Sequence, residues 1–125
     1  NMIHYGELLD HLIDGLVEKN VDFQLIPEYE DNKPYNKFAL AINAIRLPGF
    51  NADALQQYLA FKQIYVSIGG SACTEKHDYR VLNAYGLSND EASEVIRVSF
   101  GEDSSVEDVG ALVEGIKEFR DTYVK

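Results

Sequence analysis

The sequence predicts an α/β fold, a two-layer sandwich in which helices pack on one face of a small, mostly antiparallel sheet. Two observations carry this prediction. Amphipathic helical stripes lie near the beginning and the end of the sequence, and short apolar runs of strand length lie between them, separated by turn residues. The predicted order is α-β-β-α-β-loop-α-α-β-α, which is typical of two layers around one core.

The first and last helices are the clearest predicted elements. Residues 3–19 and 104–123 place apolar side chains three and four positions apart, so each helix is expected to bury one face. Asn20 is the expected C-terminal cap of the first helix. Ser104 and Glu107 have the spacing of a capping box at the start of the last helix.

Alternation and β-branched runs predict four strands. They are expected at residues 22–26, 38–45, 64–66 and 95–100. In the last of these, Val95, Arg97 and Ser99 share one face, and Ile96, Val98 and Phe100 share the other. Three shorter helices are expected after the Asn51 cap, over residues 79–85 up to Gly86, and after the capping box that begins at Ser88.

The composition limits the classes of function. A chain of 125 residues is expected to form one domain, and its net charge of −10 argues against binding to nucleic acid or to an anionic membrane surface. No apolar run is long enough to span a membrane. The single cysteine allows no internal disulfide, and a cytoplasmic protein is the expected class.

Cys73 is the first candidate site residue. It belongs to a glycine-led loop over residues 67–78 that reads Gly-Ser-Ala-Cys-Thr-Glu-Lys-His around the thiol. A lone cysteine is most often a small buried hydrophobe, but these polar neighbours favour an exposed thiol. Lys76 and His77 can stabilise its reactive thiolate form. One histidine beside one cysteine does not make a metal site, so no metal is expected.

Arg97 is the second candidate, in the middle of the last predicted strand between Ile96 and Val98. One interpretation places it on a solvated outer face of the sheet. The other makes it a fixed guanidinium fork for a carboxylate, because arginine is always charged and grips two oxygens at once.

Three ordered motifs together resemble one protein family. The chain reads Val-Ser-Ile-Gly-Gly-Ser-Ala-Cys-Thr at 66–74, Val-Leu-Asn-Ala-Tyr-Gly-Leu at 81–87 and Ile-Arg-Val-Ser-Phe-Gly at 96–101. They resemble the Gly-Ser-Ala-Cys, Val-Leu-x-Ala-x-Gly-Leu and Ile-Arg-x-Ser-x-Gly motifs of the cysteine desulfurases, a group of class V aminotransferase-like enzymes that use pyridoxal phosphate (PLP). The resemblance covers the chain from about Leu8 onward.

This resemblance implies roles for the two candidates. Cys73 matches the cysteine that attacks the sulfur of PLP-bound L-cysteine, which leaves a persulfide on the enzyme and releases alanine. Arg97 matches the arginine that holds the substrate carboxylate, and Ser71, Lys76 and His77 are expected to support the loop. The implied partner is a sulfur-acceptor protein, and iron–sulfur cluster assembly is one implied destination of the sulfur.

The resemblance also implies what lies outside this sequence. Residues 1–125 match the C-terminal small domain of the family, whose large domain binds PLP through the lysine of a His-Lys motif. No His-Lys pair is present among the seven lysines, at positions 19, 33, 37, 62, 76, 117 and 125. We therefore expect no PLP in this chain and no turnover by the chain alone. Apolar surface left by the missing N-terminal PLP domain makes a homodimer an expected partner.

Two other functions stay open at this point. One is a class V aminotransferase or lyase without desulfurase activity, in which Arg97 keeps its role and Cys73 is incidental. The other is a stand-alone, non-enzymatic binding or sulfur-carrier module. The effect of Cys73→Ala on sulfur transfer separates the first from a desulfurase, and the length of the natural protein bears on the second.

Overall fold

A computed structural model describes residues 2–26, 42–68 and 78–124. Within these ranges nine elements follow one another in the predicted order. The helices are α1 (Met2–Glu18), α2 (Ala52–Phe61), α3 (Arg80–Ala84), α4 (Asn89–Ala92) and α5 (Val106–Tyr123). The strands are β1 (Gln24–Ile26), β2 (Ile42–Arg46), β3 (Ser67–Ile68) and β4 (Val95–Ser99).

The four strands form one sheet in the order β1-β2-β4-β3. Every neighbouring pair is antiparallel, which confirms the predicted sheet type. β4 lies inside the sheet, with β2 on one side and β3 on the other. Arg97 at its centre is opposite Ala44 of β2 and Ser67 of β3, so these three residues form one row across the sheet.

The side chains on the two faces of β4 pack into two different hydrophobic cores. Ile96 and Val98 point into the main core together with buried side chains of α1, α2 and α5. Val95 points to the opposite face, where a smaller core covers it. That core also contains Ile26, Ala44, Leu82, Leu87 and Ala92. The three long helices thus share one face, as predicted, and the short helices α3 and α4 cover part of the other.

Helix α5 packs against both other long helices. A Cβ atom added at Gly15 of α1 would lie 2.8 Å from Cγ2 of Val113, and one added at Gly115 would lie 2.6 Å from Cδ2 of Leu59 in α2. Both distances are too short for a real Cβ atom, so glycine at these positions lets the helices approach closely. α5 therefore lies between α1 and α2.

Three helices end in the same backbone motif. Asn20, Gln63 and Gly86 have φ angles of 58°, 65° and 94°, the left-handed conformation that follows the last helical turn. After α1, the Val21 N–H donates to the carbonyl oxygen of Leu16 at 2.9 Å and so satisfies an acceptor that the helix leaves open. The predicted cap at Asn20 is confirmed.

The predicted start of the last helix is wrong by one residue. Ser105 is the N-cap, and its side chain forms a capping box with Asp108, not Ser104 with Glu107. The hydroxyl of Ser104 instead accepts a hydrogen bond from the Gly101 N–H at 2.8 Å, which closes the turn before the helix. The capping box at Ser88 and Glu91 is as predicted, and so is the Asn51 cap of α2.

The predicted strand at residues 64–66 is also misplaced, because β3 consists of Ser67 and Ile68, the first two residues of the predicted loop. The Ile64 N–H donates to the Leu59 carbonyl at 2.8 Å, so residue 64 completes the cap of α2. β1 is shorter than predicted and β2 extends to Arg46. Residues 38–41 of the predicted second strand lie outside the described residues, as do residues 27–37 before them.

Candidate functional site

Arg97 lies in the centre of β4, on the face away from the three long helices. Two residues earlier on this face, Val95 is fully buried beneath α3 and α4. Two residues later, Ser99 is exposed. Arg97 is half-buried between them, and its Nε atom is buried. Arg97 therefore lies where the smaller core ends and the exposed part of this sheet face begins. Solvent screens its charge less there than on an open surface.

The neighbours of Arg97 in its row are small. Ala44 and Ser67 lie directly opposite it, and directly opposed residues of antiparallel strands have Cβ atoms about 5 Å apart. Neither of these side chains is large. A guanidinium can donate two parallel hydrogen bonds to one carboxylate.

Cys73 and the expected supporting residues Ser71, Lys76 and His77 lie in residues 69–77, outside the described residues. Both flanks of this segment are described. The segment follows Ile68, the last residue of β3, and β3 is the strand whose Ser67 pairs with Arg97. The last described residues before Cys73 thus lie next to the arginine row.

At the other flank, Asp78 and Arg80 form a compact ion pair. The Arg80 N–H donates to Oδ1 of Asp78 at 3.0 Å, and Nη2 of Arg80 lies 2.6 Å from Oδ2. These hydrogen bonds lower the pKa of Asp78 to about 2, and the bond from the Arg80 side chain has a larger effect than the bond from the Arg80 backbone. The pair fixes the backbone at the start of α3, the first described element after Cys73. Sequence reasoning missed it, although aspartate two positions before a helical arginine is a signal for such a turn.

A second arginine on the same face has a structural role that sequence reasoning also missed. Arg46 lies beside the Arg97 row and donates from Nε to Oε1 of Glu94 at 2.9 Å, with Oε2 of Glu91 3.3 Å from its Nη1. Oε2 of Glu94 accepts from the Gly49 N–H at 2.6 Å. This network ties α4 and the Gly49 turn to the sheet. No spacing in the sequence indicates it, because its members are far apart along the chain.

Other ionisable side chains have local structural roles. His11 is exposed on α1, whereas His4 is half-buried and its Nε2 lies 2.9 Å from the carbonyl oxygen of Ser104. On α5, Asp108 caps the helix and Glu118 pairs with Lys62 at 2.7 Å. The described residues contain no group of three histidine, cysteine or acidic side chains that could hold a metal ion.

None of the helices in the described ranges is both long enough and apolar enough to cross a membrane.

Comparison with known proteins gives structural relatives only. The sequence matches no protein-family model and no curated protein. A solved structure titled NifS-like protein has a TM-score of 0.69 and 23% identity over 96% of this chain and 28% of that one. A NifS-like protein from Rickettsia africae ESF-5 has a TM-score of 0.72 and 24% identity over 98% of this chain and 29% of that one. The chain therefore has the fold of a part of NifS-like proteins that makes up less than a third of their length.

Proposed function

We propose that residues 1–125 form the C-terminal small domain of a PLP-dependent cysteine desulfurase. In this proposal Cys73 accepts sulfur from L-cysteine, and Arg97 binds the carboxylate of the same substrate. The observation that carries the proposal is the pairing of Ser67 with Arg97, because β3 leads directly into the segment that contains Cys73. The shared fold with NifS-like proteins supports it independently.

Chain length limits how far the thiol can be from the arginine row. Cys73 is five residues after Ile68 and five residues before Asp78. Five residues span at most about 18 Å when fully extended. The cysteine is therefore tethered within that distance of both anchored flanks. Such a tether allows the thiol to meet a substrate held at Arg97 and then to reach an acceptor outside the site.

Arg97 suits the recognition of an amino acid. A guanidinium group offers parallel N–H donors to a carboxylate. Its position at the centre of an internal strand of the sheet restricts its backbone, and its neighbours Ala44 and Ser67 in the row are small. Holding the carboxylate fixes the direction in which the substrate's side-chain sulfur points, and this orientation lowers the entropic cost of the reaction.

In the proposed sulfur transfer, the thiol of Cys73 is the group that accepts the sulfur atom of L-cysteine. The Cys73 thiolate attacks the substrate sulfur, a sulfur–sulfur bond forms, and the carbon–sulfur bond of L-cysteine breaks. The electron pair of the broken bond goes to the carbon, where PLP held by another part of the full-length protein would stabilise it, and the carbon takes up a proton to give alanine. Cys73 is left as a persulfide, which can pass its outer sulfur to an acceptor thiol.

The described residues do not fit PLP. Lys19, Lys62 and Lys117 each pair with a carboxylate of α5, so none of these amines lies on the Arg97 side of the sheet. The proposal therefore assigns the cofactor, and the lysine that binds it, to another part of the full-length protein. The 125-residue chain alone is expected to show no turnover.

The test compares the full-length protein, its Cys73→Ala variant and the 125-residue chain in L-cysteine with added PLP. Alanine release and a gain of one sulfur atom on Cys73 are expected in the full-length protein only. If Cys73→Ala keeps PLP absorbance and product formation, the protein is another class V enzyme. If no protein shows PLP absorbance but Cys73 takes sulfur from a persulfide donor, it is a sulfur carrier. Steady turnover by the 125-residue chain would contradict the domain assignment.

A further inference from the structure

The row of residues that crosses the sheet through Arg97 becomes more exposed from one edge of the sheet to the other. The strand register places Ile26, Ala44, Arg97 and Ser67 opposite one another on β1, β2, β4 and β3. Ile26 and Ala44 are 5% and 2% exposed, Arg97 is half-buried, and Ser67 is exposed. The covered end of the row therefore lies at β1 and β2, and its open end lies at Ser67.

The smaller core, which contains Ile26 and Ala44, explains which end is covered. Side chains of α3 and α4 pack over these two residues, whereas Ser67 stays exposed. Ser99, two residues after Arg97 on the same face of β4, is exposed as well. Solvent therefore reaches Arg97 from the corner of the sheet that contains Ser67 and Ser99.

The Arg97 side chain does not stand up freely into that solvent. Its Nε atom is buried, so the side chain lies against the protein at least as far as the beginning of the guanidinium. A guanidinium held in this way stays near the surface of the sheet, where a short side chain of the neighbouring strand can reach its ligand. Ser67 is the residue directly across from Arg97 at the open end of the row, and the Cβ atoms of such a pair are about 5 Å apart.

The hydroxyl of Ser67 offers a donor that complements the guanidinium. A carboxylate has about four lone-pair positions on its two oxygens, and a bidentate arginine occupies two of them. A serine hydroxyl can donate to one of the remaining positions. Because Ser67 belongs to β3 and Arg97 to β4, the two donors reach the carboxylate from different strands. Together they restrict a rotation of the carboxylate that a single arginine permits.

We infer that the Ser67 hydroxyl donates a hydrogen bond to the substrate carboxylate, which makes Ser67 a second substrate-binding residue beside Arg97. This inference rests on the function proposed above and extends the carboxylate site to a second strand. Cys73 is six residues after Ser67, and six residues span at most about 20 Å. The residue that orients the carboxylate and the thiol that attacks the sulfur thus belong to one short stretch of chain.

The test compares Ser67→Val with Ser67→Thr in the full-length protein. Valine and threonine have similar shapes and both suit a strand, so the two variants differ chiefly in the hydroxyl. Ser67→Val should raise KM for L-cysteine about tenfold, as expected for the loss of one hydrogen bond to a charged group. Ser67→Thr should keep KM close to that of the unmodified protein. Cysteamine, which lacks the carboxylate, should not distinguish the two variants.

Three further measurements separate substrate binding from a structural role. Ser99→Ala is the matched control, because it removes a serine hydroxyl from the same face of the sheet at a position about 7 Å along β4 from Arg97. It should leave KM unchanged. Calorimetry with L-alanine, the proposed product, reports binding without turnover, and Ser67→Val should weaken that binding too. In an Arg97→Gln background, Ser67→Val should add little, because both residues hold the same carboxylate.

The outcomes distinguish this inference from the proposed function. Equal KM values in Ser67→Val and Ser67→Thr would overturn the inference and leave the proposed function intact. The same holds if Ser67→Val slows cysteine and cysteamine equally, since Ser67 would then support only the sheet. If the unmodified full-length protein releases no alanine from L-cysteine, the proposed function fails, and the inference fails with it.

Discussion

Arg120, near the end of α5, donates two hydrogen bonds to the backbone at the end of α1. Its Nη1 lies 2.7 Å from the carbonyl oxygen of Asn20, and its Nη2 lies 3.0 Å from that of Lys19. The last carbonyls of a helix lack intrahelical donors and carry the negative end of its dipole. One cation thus satisfies two acceptors and joins the C-terminal ends of the two helices.

We expect Arg120→Ala to lower the free energy of unfolding by about 2 kcal/mol, because hydrogen bonds to a charged donor are lost and two carbonyls lose a partner. Lys117→Ala is the control on the same helix. Lys117 makes one exposed ion pair with Asp121 and should contribute about 0.5 kcal/mol or less. Urea denaturation measures both. Equal effects of the two substitutions would mean that the inter-helix bonds add nothing beyond surface charge.

Two glycines of α5 are expected to respond oppositely to alanine. At Gly110 an added Cβ meets nothing within 4 Å, so the better helix propensity of alanine should stabilise the protein by about 0.5–1 kcal/mol. At Gly115 the added Cβ lies 2.6 Å from the fully buried Leu59, so overpacking should destabilise it by about 1–3 kcal/mol. Thermal and urea unfolding measure the difference, and stabilisation by both substitutions would contradict the close packing of α5 on α2.

The order of elements and the faces of β4 could be predicted because they depend on local periodicity. Val95 and Ile96 point into different cores, as their alternation indicates. The misplaced boundaries have a different cause. Ser104 and Ser105 are both good caps, and only the Gly101 turn, which uses the Ser104 hydroxyl, decides between them. Such a choice depends on tertiary geometry that spacing does not contain.

In the candidate site, too, local features could be predicted from the sequence, whereas features that depend on tertiary structure could not. Arg97 could be identified because a charged residue inside an apolar strand is unusual, and its place in the predicted strand is confirmed. Its pairing with Ser67 could not be predicted, because β3 is only two residues long and its register depends on the sheet. The Arg46 network was missed for a similar reason, since Glu94 and Gly49 meet it only after the sheet forms.

The low pKa of Asp78 predicts how the stability of the fold changes at acidic pH. The ordinary pKa of 3.8 falls to about 2 in the fold, so the folded state holds this carboxylate ionised over a range where the unfolded chain takes up a proton. The stabilisation is complete above the ordinary value and is lost as the pH falls from there toward 2. NMR titration of the side-chain carboxyl measures this pKa directly.

Arg80→Gln is the matched variant, since its side chain is 88% exposed and the substitution removes the charge while keeping a similar length. The pKa of Asp78 should rise towards its ordinary range, and the carboxyls of Glu91 and Glu118 should titrate as before, because their pKa values are lowered chiefly by Ser88 and Lys62. A titration of Asp78 that is unchanged in Arg80→Gln would refute the ion pair as the cause.

The role proposed for Arg97 predicts a separation of binding from chemistry in the full-length protein. Arg97→Gln removes the charged fork but keeps hydrogen-bonding capacity, so we expect KM for L-cysteine to rise about a hundredfold, since two charge-assisted hydrogen bonds are lost. The PLP absorbance should not change, and Arg97→Lys should recover only part of the loss because a lysine cannot bind both oxygens in parallel. Steady-state kinetics with cysteine and with cysteamine, which lacks the carboxylate, provide the check. If Arg97→Gln slows both substrates equally, the arginine supports the sheet and does not bind the substrate carboxylate.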